Sequence, residues 1–322
     1  MAVILDLLGQ LFLQVVQMTL VVAVAPLVLG ITRKVKARLL RRIGAPVLQP
    51  YRDLLKLMHK EAVVAHNASF VYRSAPYVIF AATWVAAALV PSYATGLLFS
   101  WSADLIALVA LIGTARFALA LAGMDVGTAF GGLGSSREMM IAALAEPAML
   151  LIAFTVALVA GTTQLSTVAT VFSTAEVGLR VSLALALFAF VIVAVAENAR
   201  IPIDNPATHL ELTMVHEAMV LEYSGRHLAV IEAAAALKLV LYFSLIACLF
   251  VPIGIAGPDA GFFAHVIGIA AWLFKLLVLA VLLPIGETSV AKMRVFRYPV
   301  FVGSAFALAA LAVFLLFVSK GF

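Results

Sequence analysis

At 322 residues the chain is 65% hydrophobic and only 11% charged, with a mean hydropathy of +1.16, far above the roughly 45–50% apolar usage of soluble domains. That composition excludes a soluble globular fold, and the net charge of +5 with a pI near 9.4 reflects basic residues flanking membrane spans, so no nucleic acid is called for. The single cysteine, Cys248, excludes a disulfide framework and a cysteine-ligated metal or iron–sulfur site made by this chain alone.

Crossing about 30 Å of hydrocarbon takes around 20 apolar residues per helix. Eight runs of that kind lie near 8–32, 75–95, 101–122, 140–161, 180–198, 229–253, 262–284 and 298–318. The alternating segments of a membrane barrel are missing, and backbone groups in lipid must be satisfied internally. The sequence therefore predicts an all-α integral membrane protein, one polytopic domain over residues 1–322 with about eight transmembrane helices plus amphipathic and re-entrant helices. Ala23 and Ala25 before Pro26 resemble a cleavage site, but no basic segment precedes them and the apolar run is too long for a signal peptide, so the first helix reads as retained.

Sixteen of the 21 lysines and arginines fall in the connections 33–74, 123–139, 199–228 and 285–297, against Arg180 and Lys320 in the others. The positive-inside rule then puts those four connections in the cytoplasm and both termini on the outer side of the inner, or cytoplasmic, membrane.

The first connection is long and basic, broken by Gly44 and Pro46. Tyr51 to Lys60 sets Leu54, Leu55, Leu57 and Met58 against Arg52, Asp53, Lys56 and Lys60, the pattern of an amphipathic surface helix. Gln49, Arg52, Asp53 and Lys56 mix signs at close spacing and suit partner docking. Arg116 lies about two turns from the end of the third span, within reach of snorkelling. Gly127, Gly131, Gly132 and Gly134 lack the order of a phosphate loop, and Ser135 followed by Glu138 reads as a helix-start signature.

Glu146, beside Pro147 in an apolar span, is costly there and reads as functional, or as a cross-bundle partner of Arg116 or Lys238. The densest charge lies in Glu197 to Gly225, which holds five of the sixteen acidic residues (Glu197, Asp204, Glu211, Glu217 and Glu222) with Arg200, His209 and His216. Pro202 and Pro206 exclude a continuous helix there. The 3,4 spacing from Leu210 predicts a re-entrant or surface-lying helix, buried in protein or lining a wet cavity. Carboxylates and imidazoles in such a setting are proton-carrier candidates. His216-Glu217 lacks the second histidine of a zinc motif, so no metal site is assigned. Lys238 and Glu287 join the membrane or boundary charges, with Lys292 and Arg294 nearby.

The segments QPYRDLLKLMHKE (49–61), RFALALAGMDVGTAFGGLGSSRE (116–138), EPAML (146–150), ENARIPIDNP with LEL and EYSG (197–225) and ETSVAKMR (287–294) together resemble the subunit 1 family of respiratory complex I. They resemble still more its homologues in membrane-bound group 4 [NiFe] hydrogenases of the formate hydrogenlyase type. The resemblance implies a non-catalytic anchor subunit that joins a cytoplasmic redox module to antiporter-like membrane subunits. The partners implied are hydrogenase-like large and small iron–sulfur subunits and the lipid bilayer. Iron–sulfur clusters and, in the hydrogenase branch, a [NiFe] centre would belong to those partners, with no cofactor in this chain.

Carried onto these positions, Gln49, Arg52, Asp53, Lys56, Arg137 and Arg200 become docking residues. Glu146, Glu197, Glu211 and Glu222 become the acidic path, with Arg116, Lys292 and Arg294 as charge partners and Asp204 at the docking platform; the buried charges themselves add Asp204, Glu217, Glu287, His209, His216 and Lys238 as proton-path candidates. Ala207 and His209 replace carboxylates usual in the relatives, and Glu217 stands where they are commonly uncharged, which fits a divergent, hydrogenase-like branch. The same buried acids would also serve a secondary ion transporter or antiporter.

Overall fold

A computed structural model describes residues 2–173, 180–204, 214–258, 260–291, 293 and 297–320, with side chains from 8 to 319 among them. Among these residues there are eleven helices and no strand. They are α1 (Ala2–Leu39), α2 (Gln49–Met58), α3 (Phe70–Leu89), α4 (Leu105–Asp125), α5 (Ala129–Ala160), α6 (Leu165–Ser173), α7 (Val181–Glu197), α8 (His216–Val220), α9 (Gly225–Leu249), α10 (Phe262–Ser289) and α11 (Tyr298–Lys320). Eight of them match the predicted spans. Six of those eight are long and apolar enough to cross a membrane by length and composition alone; α7 is apolar but has 17 residues, and α3 carries Arg73 and Pro76.

The predicted surface helix forms as α2, with Pro50 in its first turn, where a missing N–H costs nothing. Several boundaries differ from expectation, most of all the start of α5. Ser135 and Glu138 do not open a helix; α5 begins at Ala129 behind Thr128, whose hydroxyl accepts from the Gly131 N–H. Both Thr128 and Ser135 fit the start signal, and the earlier one wins. Ser135 instead lies buried in the helix and donates to the carbonyls of Ala120 and Gly131.

The basic connections meet one another at one end of the bundle. The Val63 N–H donates to Ser224 Oγ at 2.8 Å, Ser69 Oγ donates to Asp125 at 2.7 Å, and Arg137 donates to the Met214 carbonyl at 2.7 Å. Tyr72 of α3 stacks on Tyr223 with ring centroids 4.1 Å apart, which pins the stretch before α9 against α3. At the opposite end, Gln14 and Gln17 donate to the carbonyls of Ala88 and Val90, and the Thr95 N–H donates to the Ala256 carbonyl at 2.9 Å. These bonds satisfy backbone groups that the ends of helices leave free.

α9 is the most enclosed of the described spans, while α10 and α11 turn wide apolar faces outward, as lipid-facing helices do. The core is rich in alanine, with Ala86, Ala122, Ala145, Ala148, Ala186 and Ala189 fully buried. Small side chains let membrane helices approach closely. The glycines between α4 and α5 do the same: a methyl group on Gly131 would collide with the Gly123 carbonyl, and one on Gly134 would lie 2.9 Å from the Ala218 methyl of α8.

Candidate functional site

That close approach brings charges from four helices together. Arg116 of α4 is 3% exposed, so it does not snorkel. Its Nε lies 3.2 Å from Oε1 of Glu138 on α5, and a terminal nitrogen pairs with Oε1 of Glu197 at the end of α7. The other Glu197 oxygen takes Nζ of Lys238 on α9 at 2.8 Å. Two cations and two carboxylates therefore form a neutral cluster inside the bundle. A single charge at the centre of a membrane helix costs about 2.5–3.5 kcal/mol on insertion scales, so mutual pairing is what makes this placement tolerable.

The cluster lines a cavity of about 110 Å³ whose polar wall also includes Thr83, Asn198, Arg200, His216, Glu217 and Glu232. Burial raises the Glu217 carboxyl, and the neighbouring charges of Glu232 and Asp204 raise it further, to about 7. Burial lowers the His216 imidazole, which therefore stays neutral near pH 7. Asp204 is 1% exposed and accepts the backbone N–H groups of Val215 and His216 at 3.1 and 3.2 Å, holding the start of α8 in place. Glu232 also lines a second cavity, about 170 Å³, whose wall includes Arg33 of α1 and Asp53, Leu54 and Leu57 of α2. The two cavities share Leu29, Glu232 and Ala236, so polar groups run from α2 at the surface to the four-charge cluster.

Beyond the cluster, Arg116 also lines an open groove of about 530 Å³ between α4 and α5 that contains Glu146. The Glu146 carboxyl packs beside Gly113, where a methyl group would lie 3.5 Å from Oε1. Separately, Glu287 of α10 takes Lys36 of α1 at 2.6 Å and Arg200 at 3.6 Å. Glu287 and Arg200 border an apolar cleft of about 390 Å³ between α7, α9, α10 and α11.

The sequence pattern of the NADH dehydrogenase family matches residues 12–318. The chain belongs to that family. Hydrogenase-4 component C of Escherichia coli K12 is 33% identical over 298 residues, covering 92% of each chain. Formate hydrogenlyase subunit 4 of the same organism is also 33% identical, over 92% of this chain and 95% of its own. NADH-quinone oxidoreductase subunit 8 of Rhodothermus marinus is 28% identical over 68% of this chain and 66% of its own. Among solved structures, a chain of the membrane-bound sulfane sulfur reductase, an archaeal respiratory membrane complex, superposes with a TM-score of 0.79. It is 20% identical and covers 95% of this chain and 99% of that one, a likeness of fold.

Within this NADH dehydrogenase family fold, the residues singled out from sequence separate into groups. Arg116, Glu197, Lys238, His216 and Glu217 converge on one cavity, and Glu146 lies on the far side of Arg116. Glu287 sits in its own triad with Arg200. Glu222 lies apart, accepting Thr128 Oγ1 at 2.5 Å at the start of α5. His209, Glu211, Lys292 and Arg294 lie outside the described residues. Of the docking residues, Gln49 donates to Asp53 at 2.8 Å while Arg52 and Lys56 are exposed. Arg137 and Arg200 are engaged within the chain.

Three participants do not stand out in the sequence. Glu138 reads there as part of a helix start, Glu232 falls at a span boundary, and Lys36 is one of ten basic residues in the long first connection. The signal that finds Glu138 and Glu232 is the same for both, an acid at helical spacing among apolar neighbours.

Proposed function

We propose that this chain is the non-catalytic membrane anchor of an energy-converting oxidoreductase complex, coupling electron transfer in a hydrogenase-like redox module to translocation of protons or sodium. The reading is supported by the hydrogenase-4 and formate hydrogenlyase relatives. The observation that carries it is the pair of cavities that share Glu232, whose walls hold polar groups from α2, by way of Glu232 and Glu217, to the Arg116–Glu138–Glu197–Lys238 cluster.

In this reading the basic connections face the cytoplasm, both termini lie outside, and the chain resides in the cytoplasmic membrane. The large and small subunits of the redox module dock on α2, and antiporter-like subunits adjoin the bundle within the membrane. Iron–sulfur clusters and a [NiFe] centre belong to the docked subunits.

Glu217 is the group that senses events at the docked face. With its carboxyl poised at about 7, a nearby charge change worth 1.36 kcal/mol shifts its protonation tenfold. The change in charge alters the field on Lys238 and Glu197, and Arg116 then redistributes between Glu197 and Glu138 on one side and Glu146 on the other. Coupled titration of this kind moves a proton without any single residue travelling far. The family resemblance assigns Glu211 to the same proton path and Lys292 and Arg294 to its charge partners, and His209 joins the path as a candidate from the sequence.

The test uses the assembled complex in sealed vesicles. Glu146→Gln and Glu217→Gln are each expected to keep viologen-linked redox turnover while the ion gradient formed per electron drops several-fold. A normal gradient in both variants would defeat the coupling role. Co-purified partners with paired Cys-x-x-Cys ligands would identify hydrogen as the substrate of the redox module.

A further inference from the structure

One buried polar group has no role in the route described so far. Tyr242 of α9 is 0% exposed, and its hydroxyl has no hydrogen-bond partner among the described residues. Its ring packs on Phe190 of α7, with centroids 5.7 Å apart. Phenylalanine would fill the same space without the cost of burying an unpaired hydroxyl, so packing alone does not account for a tyrosine here.

The position of that hydroxyl does. Tyr242 follows Lys238 by four residues, which stacks the two on one face of α9, with Tyr242 a turn deeper. Lys238 holds Glu197 at 2.8 Å. The Tyr242 oxygen feels the charges of Glu197, Arg116 and Glu146 together, and Arg116 in turn feels Glu197, Glu138, Tyr242 and Glu146. Glu197 has both oxygens occupied by cations, and Arg116 is shared between the cavity and the Glu146 groove. A direct handover from Glu197 to Glu146 would have to pass the guanidinium, which gives up no proton. A phenol beside it both donates and accepts.

We propose that the Tyr242 hydroxyl relays protons between the Lys238–Glu197 pair and Glu146, bypassing Arg116. This rests on the coupling role proposed above. In the step, the Tyr242 O–H bond breaks as its proton passes to the Glu146 carboxylate, and a proton from the Lys238 ammonium re-forms it, with water closing the gaps. Lys238 is left as a neutral amine and Glu146 as a neutral acid. One proton has moved, tyrosine is unchanged, and the cavity at Glu217 reprotonates Lys238.

Two variants in the assembled, vesicle-reconstituted complex test the relay. Tyr242→Phe retains the ring and is expected to leave viologen-linked turnover intact while proton translocation per electron falls by about tenfold or more, the scale of a lost acid–base group. Difluorotyrosine at position 242 keeps the hydroxyl and the packing but makes the phenol more acidic, and is expected to move the pH profile of translocation to lower pH.

Normal translocation in Tyr242→Phe, or an unchanged profile with difluorotyrosine, would overturn the relay. Should Tyr242→Phe fail to assemble, the difluorotyrosine profile decides alone. Glu146→Gln and Glu217→Gln serve as references: lost translocation there with normal translocation in Tyr242→Phe removes the relay only, whereas normal translocation in Tyr242→Phe and both glutamate variants removes the coupling role as well.

Discussion

Glu197 holds two cations in the bundle and, under the proposed function, also belongs to the proton path. Its two oxygens hold Arg116 and Lys238, and its carboxyl is 2% exposed. Glu197→Gln would leave both cations facing Glu138 alone, and breaking a buried pair from one side costs about 3–5 kcal/mol. The variant complex is therefore expected to melt well below wild type by scanning fluorimetry. Lys238→Met should cost less, because the lysine side chain is 16% exposed. Glu217 gives a pH signature instead. Its carboxyl titrates at about 7 when folded, above the ordinary 4.5, so the folded state binds more protons than the unfolded state between those values. Stability from this group is full below about 4.5 and falls as pH rises to about 7. His216, held below its ordinary value, acts oppositely, costing stability as pH falls below about 6.5. Melting curves from pH 5 to 8 for wild type and Glu217→Gln separate the two, and the variant should lose the decline on the alkaline side. An identical decline in both proteins would place its origin elsewhere.

At the level of elements, the eight spans were legible because a membrane helix needs an apolar run of about 20 residues, and α2 was legible from its two-faced composition. Arg116, Glu197, Lys238 and Glu217 stood out because ionisable residues in apolar surroundings demand partners. Which partners they take was not legible, since pairing depends on helices that meet far apart in sequence. Glu138 illustrates the limit. Beside Ser135 it matches a helix start, and only the position of α5 against α4 reveals that it faces Arg116. That position is set by glycine. Gly131→Val would push α5 off the Gly123 carbonyl, an overpacking expected to cost about 1–3 kcal/mol. Because the shift separates Glu138 from Arg116, ion translocation should suffer more than redox turnover. Equal losses in both would indicate general unfolding.

For the whole molecule, the basic end holds charges committed to the fold beside charges left exposed, and under the proposed function the exposed ones dock the redox module. Arg137 and Arg200 are committed internally, to the Met214 carbonyl and to Glu287, whereas Arg52 and Lys56 on α2 remain exposed. Docking should therefore depend on the second pair and bundle integrity on the first. Exposed charges are screened over about 8 Å at physiological ionic strength, so the reversal Arg52→Glu with Lys56→Glu is expected to make the redox subunits dissociate at lower salt than wild type while the chain itself stays inserted and folded. Arg137→Gln should do the reverse, lowering the melting temperature with little change in the salt needed for release. Quantifying co-purified redox subunits across a salt series distinguishes these outcomes. If Arg137→Gln released the subunits and the α2 reversal did not, the docking face would have to be moved from α2 to the α5–α8 side of the same end, where Arg137 and Met214 lie.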